Sequence, residues 1–316
     1  MRNKIAIISK ILQPFLRLFV GLLLLLPKPV CLAFFKCIRK VLNSEISEQL
    51  LEGAFASSLK ARGLNIDVTT LGVPWYIEAK ITLDVGDYIQ RRFYLHGYPE
   101  FMPKLLAFCD DKTLFFDIGA NVGLVSLGVA TRVPEGSIHS FEPIPATFEQ
   151  LERNVSTNRP GITCHRVALS NDNGELKFAT IKTDSGSATV DAEYLQSRLD
   201  KNRIHTEMVF LSCPTQTFDA FWDSLSPVAR TTAHKIALKI DVEGHEPAVL
   251  VGMQNFLRVA RQEILIICET HYQNIQRVRE LVESHGFTLK EPELQVLQDR
   301  NLFGSAQDLI FSRGCQ

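Results

Sequence analysis

The sequence predicts an α/β protein built on a mainly parallel sheet with helices on both faces. Two observations carry that prediction. From residue 114 onward, short runs rich in β-branched and aromatic residues alternate with amphipathic stretches of roughly ten to fifteen residues, the pattern of right-handed strand–helix–strand crossovers. The chain is also long enough, at 316 residues, to bury one large core plus an appendage.

Three segments follow from composition: 1–44, 45–110 and 111–316. Residues 1–44 hold eight bases and no acid, which leaves 26 Lys and Arg against 35 acids in the remainder, a body of about −9. An acidic body without a basic stripe argues against nucleic acid as a partner. LRLFVGLLLLL (16–26) is strongly apolar but is broken by PKP at 27–29, and neither half reaches the roughly 20 residues of a spanning helix. A secretory signal, a transit peptide and a buried helix each fit some of this pattern. We read it as a membrane-associating segment whose residues 14–36 lie in one leaflet, flanked by bases that favour anionic lipid. The protein is then expected in the cytoplasm, attached to the cytoplasmic face of a membrane. Seven scattered cysteines without a CxxC pair indicate reduced, buried thiols, and no zinc or other metal site is assigned.

Residues 45–110 read as a cap of helical and strand pieces. EQLLEGAFASSLKARG (48–63) has helical spacing, residues 64–84 alternate as short strands around Gly72 to Pro74, and residues 88–109 are helical but broken near Gly97 to Pro99. Strands are then expected at 114–118, 137–143, 162–170, 235–242 and 263–270, with helices at 122–132, 145–157, 246–258 and 274–285. Segments 287–293 and 307–313 have no helix between them and fit an antiparallel hairpin at the sheet edge. Residues 174–203 look inserted between the third and fourth strands. Trp75 and Trp222 read as core or cap aromatics, and His139 and His165 as packed or surface residues within strands.

Ligands of such sheets bind beyond the carboxyl ends of the strands. There the first strand closes on Asp117 and turns through Gly119, Asn121 and Gly123 into a helix. A dinucleotide fingerprint needs a further glycine at this place, and a phosphate loop needs a lysine that is absent. Glu142 ends the second strand, where a carboxylate accepts hydrogen bonds from ribose hydroxyls. A nucleoside carrying an amino-acid tail instead of phosphates fits both features, with the turn and Asp117 holding the tail. Asn121 fits either a contact to that tail or a helix cap. Asp172 sits where an adenine edge would be read, and an Asx turn explains it as well.

DIGANVGLVS (117–126), FEP (141–143), NDNG (171–174) and LKIDVEGHEPAVLVG (238–252) together resemble the FkbM-type S-adenosylmethionine-dependent methyltransferases. The resemblance covers roughly 88–313. It implies a Rossmann-like class I methyltransferase sheet of seven strands with the last one antiparallel, S-adenosylmethionine as cofactor, and O-methylation of sugars or natural-product scaffolds. The cofactor residues are then Asp117, Gly119, Asn121, Gly123, Glu142 and Asp172. Asp241 and His245 are candidates for proton acceptor or acceptor-substrate anchor. Glu243 and Glu246 either assist them or start the following helix. Glu269 and His271 share that rim. The acceptor is expected to be a small molecule or a saccharide- or lipid-linked one. Two alternatives stand beside this. An inactive methyltransferase-like scaffold protein is opposed by the presence of both Asp241 and His245, and a nicotinamide oxidoreductase by the missing glycine.

Overall fold

The computed structural model describes residues 81–84, 87–90, 93, 99–159, 161–181, 184–201, 206–291 and 306–315. The membrane-associating segment at 1–44, most of the cap at 45–110, and Trp75 lie outside the described residues. Two compact units are present: the described residues within Leu83–Gly97 belong to the first, and Ile81, Thr82 and those within Tyr98–Gln316 belong to the second. In the first, the Asp87 carboxylate accepts the Gln90 amide at 3.0 Å, an N-cap that opens a helical turn.

The second unit opens with α1 (Met102–Phe108), whose Pro103 suits a first helical turn where no amide partner is needed. Seven strands form its main sheet: β1 (Thr113–Ile118), β2 (Ile138–Phe141), β3 (Thr163–His165), β8 (Lys235–Ile240), β9 (Glu263–His271), β10 (Thr288–Glu291) and β11 (Ala306–Arg313). Their order is β10-β11-β9-β8-β1-β2-β3, with β11 antiparallel to both its neighbours and the rest parallel. The expected antiparallel hairpin therefore forms at the sheet edge, with β10 outermost and β11 paired between it and β9. The sheet order reverses beside β1, which makes the ends of β1, β2 and β8 the place for a ligand.

Between β3 and β8 lies a second sheet, ordered β4-β7-β5-β6, from β4 (Ala168–Ser170), β5 (Gly174–Ile181), β6 (Asp184–Thr189) and β7 (Val209–Thr217). The single strand expected at 162–170 is thus two: its first half pairs with β2 and its second half with β7. Periodicity reports that a run is extended, not which sheet receives it. Helix α4 (Ala192–Lys201) packs Leu195 and Leu199 on Ala179 and Ile181 of β5.

Register separates the faces of the main sheet, because partners directly opposite one another share a face. Leu114, Phe116 and Ile118 of β1 join Leu238, Ile240, Ile266 and Phe311 in the large apolar core. That core is closed by α5 (Phe218–Ser224), which the short α6 (Pro227–Thr232) follows, and by α7 (Glu246–Val251), α8 (Gln254–Val259) and α9 (Ile275–Glu283). Trp222 belongs to it. The opposite face is polar along one row: Ser140 faces Asp117, and Asp117 faces Lys239. On this side the six-residue α2 (Leu124–Val129) sends Ser126 to Asp117 at 2.5 Å and to Ser140 at 2.7 Å. The fourteen-residue α3 (Pro145–Asn158) brings buried Asn154 to the Val122 carbonyl at 2.8 Å and to the backbone of Thr82. Cys109, Cys164, Cys213, Cys268 and Cys315 are free, and burial pushes the first two thiols up to about 12, well out of the reactive range.

His139 and His165 are packed residues. Nδ1 of His139 lies 3.1 Å from Nε2 of His165, and the two rings stack between Phe116 and Phe141 with Phe221 edge-on. Burial lowers both imidazoles to about 4, and their mutual repulsion adds to the effect at His139. Both are neutral when folded and protonate near 6.5 when unfolded, so the unfolded chain binds more protons between these values. Stability is therefore expected to fall as pH drops from about 6.5 to about 4, by on the order of 3 kcal/mol from buried His139 alone. Replacing both by phenylalanine removes donor and acceptor together and is expected to flatten this stretch of the profile. Urea midpoints at pH 7 and pH 5 decide it: an equal acid loss in the double variant and the wild type would refute the assignment.

Candidate active site

The turn after β1 is fixed by a complete set of internal hydrogen bonds. The amides of Gly119 and Ala120 donate to the Phe141 carbonyl, that of Gly123 to Ala120, that of Val122 to the Asn121 side chain, and that of Asn121 to Oε2 of Glu142 at 3.0 Å. None of the five remains for a ligand. Gly119 and Gly123 have φ of +79° and +88°, and Asn121 has +49°, all in the left-handed region. A Cβ on Gly119 would lie 1.9 Å from the Asp241 carbonyl oxygen, and one on Gly123 would lie 2.7 Å from Leu151, so both make room for the protein itself.

Glu142 follows β2 and is only 6% exposed. Its Oε1 accepts the Ile144 amide at 3.0 Å and its Oε2 the Asn121 amide. Each oxygen keeps a second lone pair, enough for two vicinal hydroxyls. Burial raises this carboxyl to about 7 against the pull of the two amides and of Lys239.

Asp117 is fully buried beneath the turn, held by Ser126 and by Lys239 at 3.5 Å. It braces the turn from below, and in this conformation it has no surface open to a ligand. Sequence reasoning misses Lys239, although a lysine inside the apolar run KIALKI is a readable signal. It is 5% exposed, donates to the Gly119 carbonyl at 2.6 Å and lies 3.3 Å from Oδ2 of Asp241. Burial works against its charge, but Asp241 and Asp117 overcome that and hold it protonated.

The loop from Asp241 to His245 is shaped by Glu246, whose Oε1 accepts the amides of Gly244 at 2.9 Å and Val242 at 3.3 Å. Glu246 is 1% exposed, so it organises the loop from within. Glu243 has a φ of +51°, unusual for a residue with a side chain. Burial and then Asp241 raise its carboxyl to about 8, and it lies 3.7 Å from Arg198 of α4 and 3.9 Å from His271. Tyr194 of α4 packs its ring 4.9 Å from that of His271. Burial would raise Asp241, but the Lys239 ammonium and a hydrogen bond with Glu269 bring it below the usual range. Glu269 is driven up by Asp241 and by burial, and Asp308 to about 6 by burial and then Asp241. Asp241 is thus the most acidic carboxyl of this group, and Asp308, near 6, is largely ionised beside it at neutral pH.

The structure divides the residues expected to act together. Asp241 gathers with Lys239, Glu269 and His271, whereas His245 immediately precedes α7 without a side-chain cap and places Nε2 2.9 Å from the Ser170 hydroxyl, its basicity lowered by burial. Asp172 is exposed in the turn after β4, near enough to His245 to oppose that lowering. Asp308 is invisible in the sequence, because only the antiparallel pairing of β11 sets it opposite Glu269. Arg198 is hidden in the polar insertion. Among the described residues, no group of three or more His, Cys, Asp or Glu is arranged to hold a metal ion.

With the amides of residues 119–123 spent within the turn and carboxylates at the strand ends, the arrangement suits hydroxyls and positive charge better than phosphate. Three relatives, all named as methyltransferases, are similar to this chain. "Methyltransferase 1" of Beauveria bassiana is 25% identical over 57% of this chain and 74% of its own length. The hexuronic acid methyltransferase AglP of Haloferax volcanii is 27% identical over 61% and 70%. The methyltransferase sdnD of Sordaria araneosa is 32% identical over 61% and 74%. Residues 117–289, from the aspartate beneath the turn to the edge strand β10, match the methyltransferase FkbM domain, and the chain belongs to that family of methyltransferases.

Proposed function

We propose that the protein transfers a methyl group from S-adenosylmethionine to a hydroxyl oxygen of a saccharide or natural-product-like acceptor. The observation that supports this best is the donor-free turn: its five amides are spent internally, while Glu142 keeps two acceptor oxygens open. A pyrophosphate would find the five amides of the turn already taken, and the buried Lys239 beneath it is shared by two aspartates. When bound, S-adenosylmethionine supplies an electrophilic methyl group. Glu142 would hold the ribose hydroxyls, and Asp172 the adenine edge.

In this reading Asp241 accepts the proton of the acceptor hydroxyl, being the ionised group beside the turn. Glu243 and His245 shape the wall around it. An oxygen acceptor is supported by the similarity to a hexuronic acid methyltransferase, because every nucleophile of a hexuronic acid is an oxygen. The apolar segment at 14–36 would keep the protein at the cytoplasmic face of a membrane, near saccharide- or lipid-linked acceptors. Among the described residues no helix is long and apolar enough to cross a membrane.

Calorimetric titration with S-adenosylmethionine, S-adenosylhomocysteine and NAD tests the cofactor. Micromolar dissociation constants are expected for the first two, about −8 kcal/mol, and no measurable heat for NAD. Preferential binding of NAD would overturn the reading.

A further inference from the structure

Asp117, Lys239 and Asp241 form a charge trio. Lys239 faces Asp117 across β1 and β8, and Asp241 follows one step later on the same face of the sheet. A lysine this buried needs anionic partners to offset lost hydration, and it has two, at 3.5 and 3.3 Å. Two carboxylates and one ammonium leave a net charge of −1. Asp117 is sealed from solvent, whereas the Asp241 side chain is 33% exposed, so the surplus charge is displayed at Asp241.

Position gives that charge a target. Glu142 ends β2, the glycine turn ends β1, and Asp241 ends β8, on adjacent strands in that order. Strands lie about 4.8 Å apart, so Asp241 stands roughly 10 Å from the ribose end of the site. A nucleoside anchored at Glu142 with its tail crossing the turn brings the tail toward Asp241. The Asp241 backbone itself occupies the space beside Gly119.

Resting on the S-adenosylmethionine reading, we propose that Asp241 is the residue that distinguishes the sulfonium donor from its neutral thioether product by charge. The site would thereby favour release of S-adenosylhomocysteine once the positive charge is gone. Glu269, beside Asp241 through the pairing of β8 with β9, contributes a hydrogen bond and no charge of its own. Its role is positioning, and an amide serves as well as a protonated carboxyl.

Calorimetry of the full chain with S-adenosylmethionine and S-adenosylhomocysteine tests this without the acceptor. In Asp241→Asn the ratio of affinities, donor over product, is expected to fall on the order of tenfold, with S-adenosylhomocysteine still bound. In Glu269→Gln the ratio is expected to stay within about twofold of wild type. Equal weakening of both ligands in Asp241→Asn would mean that Asp241 holds only a feature they share, such as the ammonium, and would overturn the inference. A tenfold fall in Glu269→Gln would overturn the neutral role of Glu269. If the wild type binds neither ligand, the methyl-donor reading itself fails, an outcome separate from an unchanged ratio.

Discussion

Glu142→Ala is expected to weaken S-adenosylmethionine binding by about two to four orders of magnitude while leaving a folded protein. Two hydrogen bonds from ribose hydroxyls to a charged acceptor are worth roughly 1.5 to 3 kcal/mol each, and the variant loses both. The amides of Asn121 and Ile144 lose their partners too, which adds a cost of about 1–3 kcal/mol in stability for each. A second signature follows from burial. The folded carboxyl titrates near 7, above its usual value of 4.5, so its burial costs stability progressively as pH rises from about 4.5 to about 7. Hydroxyl donors prefer the ionised form, so affinity is expected to increase as pH passes from 6 to 8. In Glu142→Gln that dependence is expected to vanish along with most of the affinity. Calorimetry at three pH values reads both effects, and an unchanged dissociation constant in either variant would refute the ribose assignment.

Much of this site is legible in advance because it is written in consecutive residues. The strand–turn–helix at 114–129, Glu142 after the second strand and the DVEGHE segment after β8 all stand at strand ends, where a local pattern fixes position. What stays hidden depends on pairing across the chain. Lys239 becomes meaningful only beside Asp117 and Asp241, and Asp308 only once β11 enters the sheet antiparallel next to β9. The split of residues 162–170 between two sheets also rests on distant β7, which no period within the run encodes. The glycines differ from both. Their spacing correctly marks a left-handed turn, but the contact that excludes a side chain at Gly119 comes from a carbonyl more than a hundred residues away. The turn and the acidic loop are therefore packed as one unit, because Gly119 leaves room for the Asp241 carbonyl.

Gly119→Ala tests that unit most severely. Its Cβ would stand 1.9 Å from the Asp241 oxygen and 2.9 Å from the Asp241 carbonyl carbon. Neither atom belongs to a side chain that could rotate away, and both belong to the residue whose amide donates to the Ile118 carbonyl directly after the β1–β8 pairing ends. The substitution must force β1 and β8 apart or push Asp241 and Lys239 out of place, in addition to about 1 kcal/mol for an alanine in the left-handed region. A loss of roughly 4 kcal/mol or more is expected, a fall in melting temperature on the order of 10 °C. Gly136→Ala separates conformation from crowding, since Gly136 has the same φ of +80° with nothing within 4 Å of its missing Cβ. That variant is expected to cost only the backbone term, about 1 kcal/mol. Comparable losses in the two variants, measured by urea denaturation, would show that the Asp241 contact yields easily and that the turn and the acidic loop are not locked together. A large gap, with donor binding lost in any Gly119→Ala that still folds, is the result this packing predicts.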